Sequence, residues 1–166
     1  MFCIRICKND AFPDVFRRGI IFQKENYNGT KLFSKRNRRI NEKAVDAGAE
    51  FAICRASFGW MDGQKDNAFE EHMKGFKAQN IPCGAYHYSY ATTVEEAEKE
   101  AKYFLSCIKG YSFELPVYYD MEEQKQARTG RENCTKIAQR FCSIVADAGY
   151  MVGIYTNPNW LVNYLD

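Results

Sequence analysis

The sequence predicts an α/β protein built on a parallel sheet, and three observations carry that prediction. From residue 36 onward, short apolar runs rich in β-branched and aromatic residues alternate with stretches of helical periodicity. Capping residues open the helical stretches and glycines close them, so the alternation is punctuated where βα units need it. The connections are short. Strands joined through helices in this way pair in parallel by right-handed crossovers, as a barrel or as a doubly wound sheet.

The elements follow in order. A helical stretch over Arg36–Ala47 stops at Gly48, in the place of a C-terminal cap. FAICRAS, residues 51–57, is a mostly apolar strand, followed by a loop with Gly59 and Gly63. Phe69, Met73 and Phe76 recur at helical spacing and predict a helix over 68–79, broken by Pro82. CGAYHYS, residues 83–89, is the next strand. Thr93 with Glu96 forms a capping box that starts a helix running to about Ile108, and Gly110 ends it. PVYYDME, residues 116–122, is the third clear strand. A second capping box, Thr129 with Glu132, opens a helix that Gly149 closes. MVGIYTN, residues 151–157, is a strand again, with Pro158 at the start of a last helix. That makes four clear strands, or five with a doubtful one near Gly19–Phe22. A closed (β/α) barrel has about eight, so the chain reads as incomplete at its C-terminus.

Composition narrows the classes. The length of 166 residues suits one domain with ample material for a core. The 11 tyrosines exceed what a core requires; polar-tipped rings line sugar or nucleotide clefts, or pack at strand ends. Residues 1–39 carry ten Lys/Arg against three Asp/Glu, a net of +7, while the remainder carries 13 against 18, a net of −5. The basic stretch holds no nucleic-acid motif and no sustained amphipathic pattern, so it reads as a solvated segment with no nucleic-acid partner. Seven cysteines, an odd number with no CxxC pair, read as buried thiols and argue against a zinc site or a disulfide framework. Gly-rich phosphate loops and GxSxG are absent, which weakens nucleotide and serine-hydrolase readings. The opening MFCIRICKNDAF is too soon charged for a secretory signal, and no apolar run is long enough to span a membrane. The chain as written is expected in the cytoplasm.

The chemistry-bearing motif is the end of PVYYDME. Asp120 and Glu122, spaced i and i+2, project from one face near the strand's C-terminal end, where α/β sheets place their ligands. Two partly buried carboxyls side by side cannot both ionise cheaply, which supplies an acid and a base at one pH. Glycoside hydrolysis uses that pairing. The same acids, with Glu123, could hold a hard divalent cation, or form a polar strand end without chemistry.

Taken in order, FAICRASFG, IPCGAYHYSYATTVEEAEKEAKYFL, LPVYYDMEE and AGYMVGIYTNPNWL resemble the glycoside hydrolase family 25 lysozymes, the Chalaropsis-type N-acetylmuramidases of bacteria and phages. The resemblance spans Ala44 to Asp166. It implies a modified, flattened (β/α) barrel of TIM-barrel type. It also implies hydrolysis of the β-1,4 bond between N-acetylmuramic acid and N-acetylglucosamine in peptidoglycan, with no metal or cofactor. Glu122 would then be the general acid and Asp120 the charge stabiliser. The substrate's own N-acetyl group is thought to assist in this family, so a covalent and a neighbouring-group route both stay open. Peptidoglycan glycan strands are the implied partner, of a monomer that acts on the extracellular wall when exported or released.

Further positions follow from strand placement. Alternation puts Tyr86, Tyr88 and Tyr90 on one face and His87 on the other. Tyr88 and Tyr155 lie near strand ends, where they stack on sugar rings or pack in the core. Arg55 inside a strand is costly unless paired, so an ion pair with Asp120 and Glu122 is expected, making it a third substrate-side candidate. His87 reads as a satisfied core histidine. Phe58 stands where the family often has tyrosine.

The sequence also departs from the family. Members usually open with a strand close to GIDVSxxQG, whose Asp joins the cleft. Aligning on Gly19-Ile20 puts Ile21 at that position, and aligning on Tyr27-Asn28-Gly29 puts Gln23 there; Glu25 is the carboxylate nearby. The family's last barrel acid falls beyond Asp166. Residues 1–35 therefore read as a divergent basic segment and 36–166 as a partial barrel domain, a truncated or degenerate copy. The prediction is a glycoside hydrolase whose activity as this chain is in question, or else an impaired remnant that binds peptidoglycan without cleaving it.

Overall fold

The computed structural model describes residues 49–166, together with the backbone of 3–6 and 20–21. The helix expected over Arg36–Ala47, its stop at Gly48, the boundary at residue 35, and Gln23 and Glu25 lie outside the described residues.

Strands β1 (Cys3–Ile6), β2 (Ile20–Ile21), β3 (Ala52–Phe58), β4 (Cys83–Tyr88), β5 (Val117–Asp120) and β6 (Val152–Thr156) form one sheet in the order β1-β6-β5-β4-β3-β2. From β2 to β6 every neighbour is parallel, as the βα alternation predicts. Strand β1 was not expected. It runs antiparallel to β6 with Cys3 opposite Thr156 and Ile6 opposite Gly153, so part of the basic segment read as solvated is a sheet edge. Strand β2 falls within the doubtful stretch near Gly19–Phe22 and pairs Ile21 with Ile53. Among the described residues the sheet does not close on itself; β1 and β2 are its two edges.

The helices of the described residues are α1 (Phe69–Lys77), α2 (Val94–Ile108), α3 (Gln124–Ala127), α4 (Arg131–Asp147) and α5 (Pro158–Asn163). Helix α1 buries Phe69, Met73 and Phe76, the three residues whose spacing predicts it. At α2 the Thr93 hydroxyl accepts from Glu96 N, as the capping box requires, but the Glu96 carboxyl reaches back to Thr92 N. The second capping box does not form. Thr129 Oγ1 instead donates to the carbonyl of Gln126 at the end of α3, and the N-cap of α4 passes to Gly130 at φ 90°, with no side-chain cap. At α5 Asn157 Oδ1 accepts from Trp160 N, and Pro158 takes the first turn, as expected.

The sheet has two unlike faces. One packs against α1, α2 and α4 through Cys54, Ala85, Tyr119, Phe104, Ile137 and Phe141 among others, the main core. The other carries a smaller cluster of Phe51, Ile53, Tyr86, Tyr118 and Tyr155, with Tyr88 against it. Period-two alternation assigns each strand residue to its face, with one exception. A register shift between Arg55 and Ser57 breaks the alternation in β3, and Ser57 Oγ meets His87 Nδ1 at 2.8 Å, on the helix side. His87 is fully buried there among Phe104, Tyr119 and Phe141, a core histidine as expected but only half satisfied, since Nδ1 is bonded and Nε2 has no hydrogen-bond partner among the described residues. The described cysteines are buried free thiols, and burial pushes Cys83 up to about 11.

Candidate functional site

Asp120 is the last residue of β5, lies 1% exposed, and points away from the helices because Tyr119 and Met121 belong to the main core. Strand β5 stops there, two residues earlier than the sequence predicts, so Glu122 sits on the connection to α3 rather than on the strand. The connection is nevertheless held. Met121 N donates to Tyr155 O at 3.0 Å, and Thr156 Oγ1 donates to Met121 O at 2.6 Å. Glu122 is thus anchored from its preceding residue by β6.

The tyrosines gather around this acid pair. Tyr155 stands opposite Asp120 in the β5–β6 register, and its hydroxyl is pushed up by burial and by the charges of Glu122 and Asp120. Tyr88 stands opposite Asp120 on the other side, in β4. Its hydroxyl donates to Glu123 Oε1 at 2.9 Å; burial, that hydrogen bond and the nearby Asp120 push its pKa up. Its ring meets Tyr90 edge-on, with centroids 5.2 Å apart, and Tyr90 in turn meets Phe58. Tyr86 lies deeper, with burial and Asp120 pushing it up and the Arg55 charge pulling it down.

Arg55 corrects the expectation made for it. Its ion pair is with Asp66, where Nε and one terminal nitrogen each lie 2.7 Å from Oδ2, and its guanidinium sits over the Phe58 ring. Asp66 Oδ1 also accepts from Ala68 N, just before α1, so the pair locks the β3–α1 loop. Sequence reasoning paired Arg55 with Asp120 and Glu122, the acids of the chemistry-bearing motif, and passed over one only eleven residues downstream. The structure therefore brings Asp120, Glu122, Tyr88 and Tyr155 to one rim and gives Arg55 a structural partner beside it.

Two further residues belong here: Glu123, which the sequence reading named only as a candidate cation ligand, and Glu100, which it passed over. Glu123 is the acceptor that orients Tyr88. Glu100 of α2 is fully buried behind the rim, accepting from Tyr119 Oη at 2.6 Å and from Tyr90 N at 2.7 Å. The sequence did carry a sign of it: Ala97, Glu100, Ala101 and Phe104 share one helical stripe, so a carboxyl stands where an apolar residue belongs. Among the described residues no three His, Cys, Asp or Glu side chains gather as a metal-holding group.

The chain is similar to known proteins over this same framework. It is 29% identical over 89 residues to a lysozyme of Streptococcus phage Cp-9, a match covering 53% of this chain and 25% of the phage protein. It superposes on the modular autolysin LytC of Streptococcus pneumoniae with a TM-score of 0.64 at 25% identity, covering 76% of this chain and 32% of the autolysin. A family 25 glycosyl hydrolase of Bacillus anthracis shares the fold, with a TM-score of 0.60 at 19% identity over 88% of this chain and 63% of the other. The chain thus spans a quarter of the phage lysozyme and about a third of the autolysin. The model of glycosyl hydrolases family 25 matches residues 26–166, and the chain belongs to that family.

Proposed function

We propose that this chain is the catalytic framework of a muramidase, hydrolysing the β-1,4 bond between N-acetylmuramic acid and N-acetylglucosamine in peptidoglycan. The observation that carries the reading is Asp120 buried at the C-terminal end of a parallel strand, with Glu122 just beyond it, in a chain of this family. Glu122 is the general acid that protonates the leaving glycosidic oxygen, and Asp120 stabilises the positive charge that develops at the sugar. Tyr155 borders both acids and Tyr88 stands beside Asp120 with its hydroxyl on Glu123, and the two tyrosines would orient the sugar. A structure of the autolysin in complex with a synthetic peptidoglycan ligand supports glycan strands as the partner. The wall lies outside the cell, so the chain acts there after export or release.

The test is clearance of a peptidoglycan suspension. Wild type clears it and releases reducing ends; Glu122→Gln loses activity by roughly 10²–10⁴, the usual contribution of a general acid. Equal clearance by both proteins removes Glu122 from the role.

One observation favours a second reading. Ile21, which falls at the family's first-strand acid in one alignment, pairs with Ile53 in the sheet. An apolar residue supplies no charge to the cleft, and a missing preorganised charge costs on the order of 10²–10³ in rate. The chain would then bind peptidoglycan without cutting it, seen as sedimentation with insoluble wall and no reducing ends.

A further inference from the structure

The DxE segment is gripped from behind by a polar network inside the helix-packed core. Its centre is Glu100, fully buried on α2. Oε2 accepts from Tyr119 Oη at 2.6 Å and from Ser89 Oγ at 2.9 Å, while Oε1 accepts from Tyr90 N at 2.7 Å. His87 Nε2 lies 3.8 Å from Oε2, beyond hydrogen-bond reach but close enough to face it. A buried carboxyl is costly unless its oxygens are matched by donors, and here three donors converge on it.

The partners are not scattered. Tyr119 is the residue before Asp120. Ser89 N donates to Asp120 O at 2.9 Å. Ser89 Oγ also accepts from Gln126 Nε2 at 2.6 Å, and that amide donates to Ala91 O at 2.8 Å. Gln126 lies four residues after Glu122, on α3, and is fully buried. The network therefore holds the chain on both sides of the acid pair: at Tyr119 before it and at Gln126 after it. Ser89, shared by both, is itself fixed by Glu100.

We propose that Glu100 is a positioning residue for Asp120 and Glu122, setting their placement through Tyr119, Ser89 and Gln126 without touching substrate. The inference rests on the muramidase reading for its catalytic consequence, though not for its structural one. Glu100 lies behind the sheet, on the face opposite the glycan, so its removal acts on turnover and leaves glycan binding in place. Misplacing a catalytic group by about 1 Å costs roughly 100-fold in rate.

The experiment compares wild type with Glu100→Gln, Tyr119→Phe and a control, Met73→Ala in the core of α1. Hydrogen exchange by mass spectrometry and steady-state kinetics on soluble peptidoglycan fragments are read on each. The expected result for Glu100→Gln is faster exchange across 120–126 with α4 protection retained, and kcat down about 100-fold with KM within about twofold. Tyr119→Phe follows in the same direction. Met73→Ala loses stability but keeps exchange at 120–126 and kcat near wild type. Unchanged exchange at 120–126 in Glu100→Gln overturns the proposal, as does an equal kcat loss in Met73→Ala. If wild type itself does not turn over, the muramidase reading fails for this chain while the exchange arm still decides the role of Glu100.

Discussion

The Tyr88 hydroxyl donates to Glu123 Oε1 across 2.9 Å, tying the end of β4 to the segment that carries Glu122. The bond is half-buried, and its acceptor is a carboxyl oxygen. Tyr88→Phe deletes it while keeping the ring, and the expected cost is about 1 kcal/mol, read as a lower urea midpoint at unchanged slope. Under the proposed role, peptidoglycan binding should survive Tyr88→Phe and weaken in Tyr88→Ala, because the hydroxyl is engaged by Glu123 and the ring is what would meet a sugar. Equal binding by both variants removes Tyr88 from the glycan-binding surface.

The Arg55–Asp66 pair predicts a stability effect rather than a catalytic one. Both side chains are largely buried, so removing one leaves the other charge poorly solvated. Asp66→Ala is expected to cost about 2 kcal/mol, less than breaking a fully buried pair. A double-mutant cycle with Arg55→Ala measures the coupling, which should exceed about 0.5 kcal/mol for residues in contact. A coupling of zero means that the two act independently.

Gly84 of β4 leaves no room for a side chain. A Cβ there would lie 2.5 Å from Pro116 O and 2.7 Å from Ile53 Cδ1. The first of these is backbone and cannot rotate away, so Gly84→Ala must shift β4 against the chain entering β5. Overpacking of this kind costs about 1–3 kcal/mol. Thermal unfolding tests it, and a variant melting with wild type shows that the strands give way freely.

Glu98 on α2 provides a pH-dependent contribution. Hydrogen bonds from Lys102 and Arg140, with their charges, hold its carboxyl down at about 2, against an ordinary 4.5. A group depressed in the folded state stabilises above its unfolded pKa and loses that effect as pH falls through the folded one. The melting-temperature gap between wild type and Glu98→Gln should therefore be constant above about pH 5 and shrink between 4.5 and 2. Raising the salt narrows it throughout, since the group is at the surface. A gap independent of pH contradicts the pairing.

Much of this molecule is legible in its residues, and the parts that are not share a physical reason. Strands β3, β4 and β6 and helices α1 and α2 declare themselves because their own periodicity and caps suffice. Asp120 and Glu122 were visible as an acid pair at a strand end. Strand β1 was not, because Cys3–Ile6 becomes a strand through pairing with β6, a partner some 150 residues away. Ser57 turns to the helix side by a register shift that no residue type announces. Arg55 chose its partner by loop geometry, and Thr129 turned back to Gln126 instead of capping α4. Each miss was settled by the partner that the folded backbone brought within reach, across the sheet for β1 and Ser57, across a loop for Arg55 and three residues back for Thr129, which residue type alone does not encode.

The direction of β1 has a practical bearing on any binding measurement. Cys3 stands beside Thr156, at the rim that carries Asp120 and Tyr155, whereas Asp166 N donates to Thr135 Oγ1 on α4, in the helix layer. An affinity tag or fluorophore fused ahead of Cys3 starts at the rim that the proposed function makes the doorway for a glycan strand. One fused after Asp166 starts at the back of the molecule, and immobilisation from that side leaves the doorway clear.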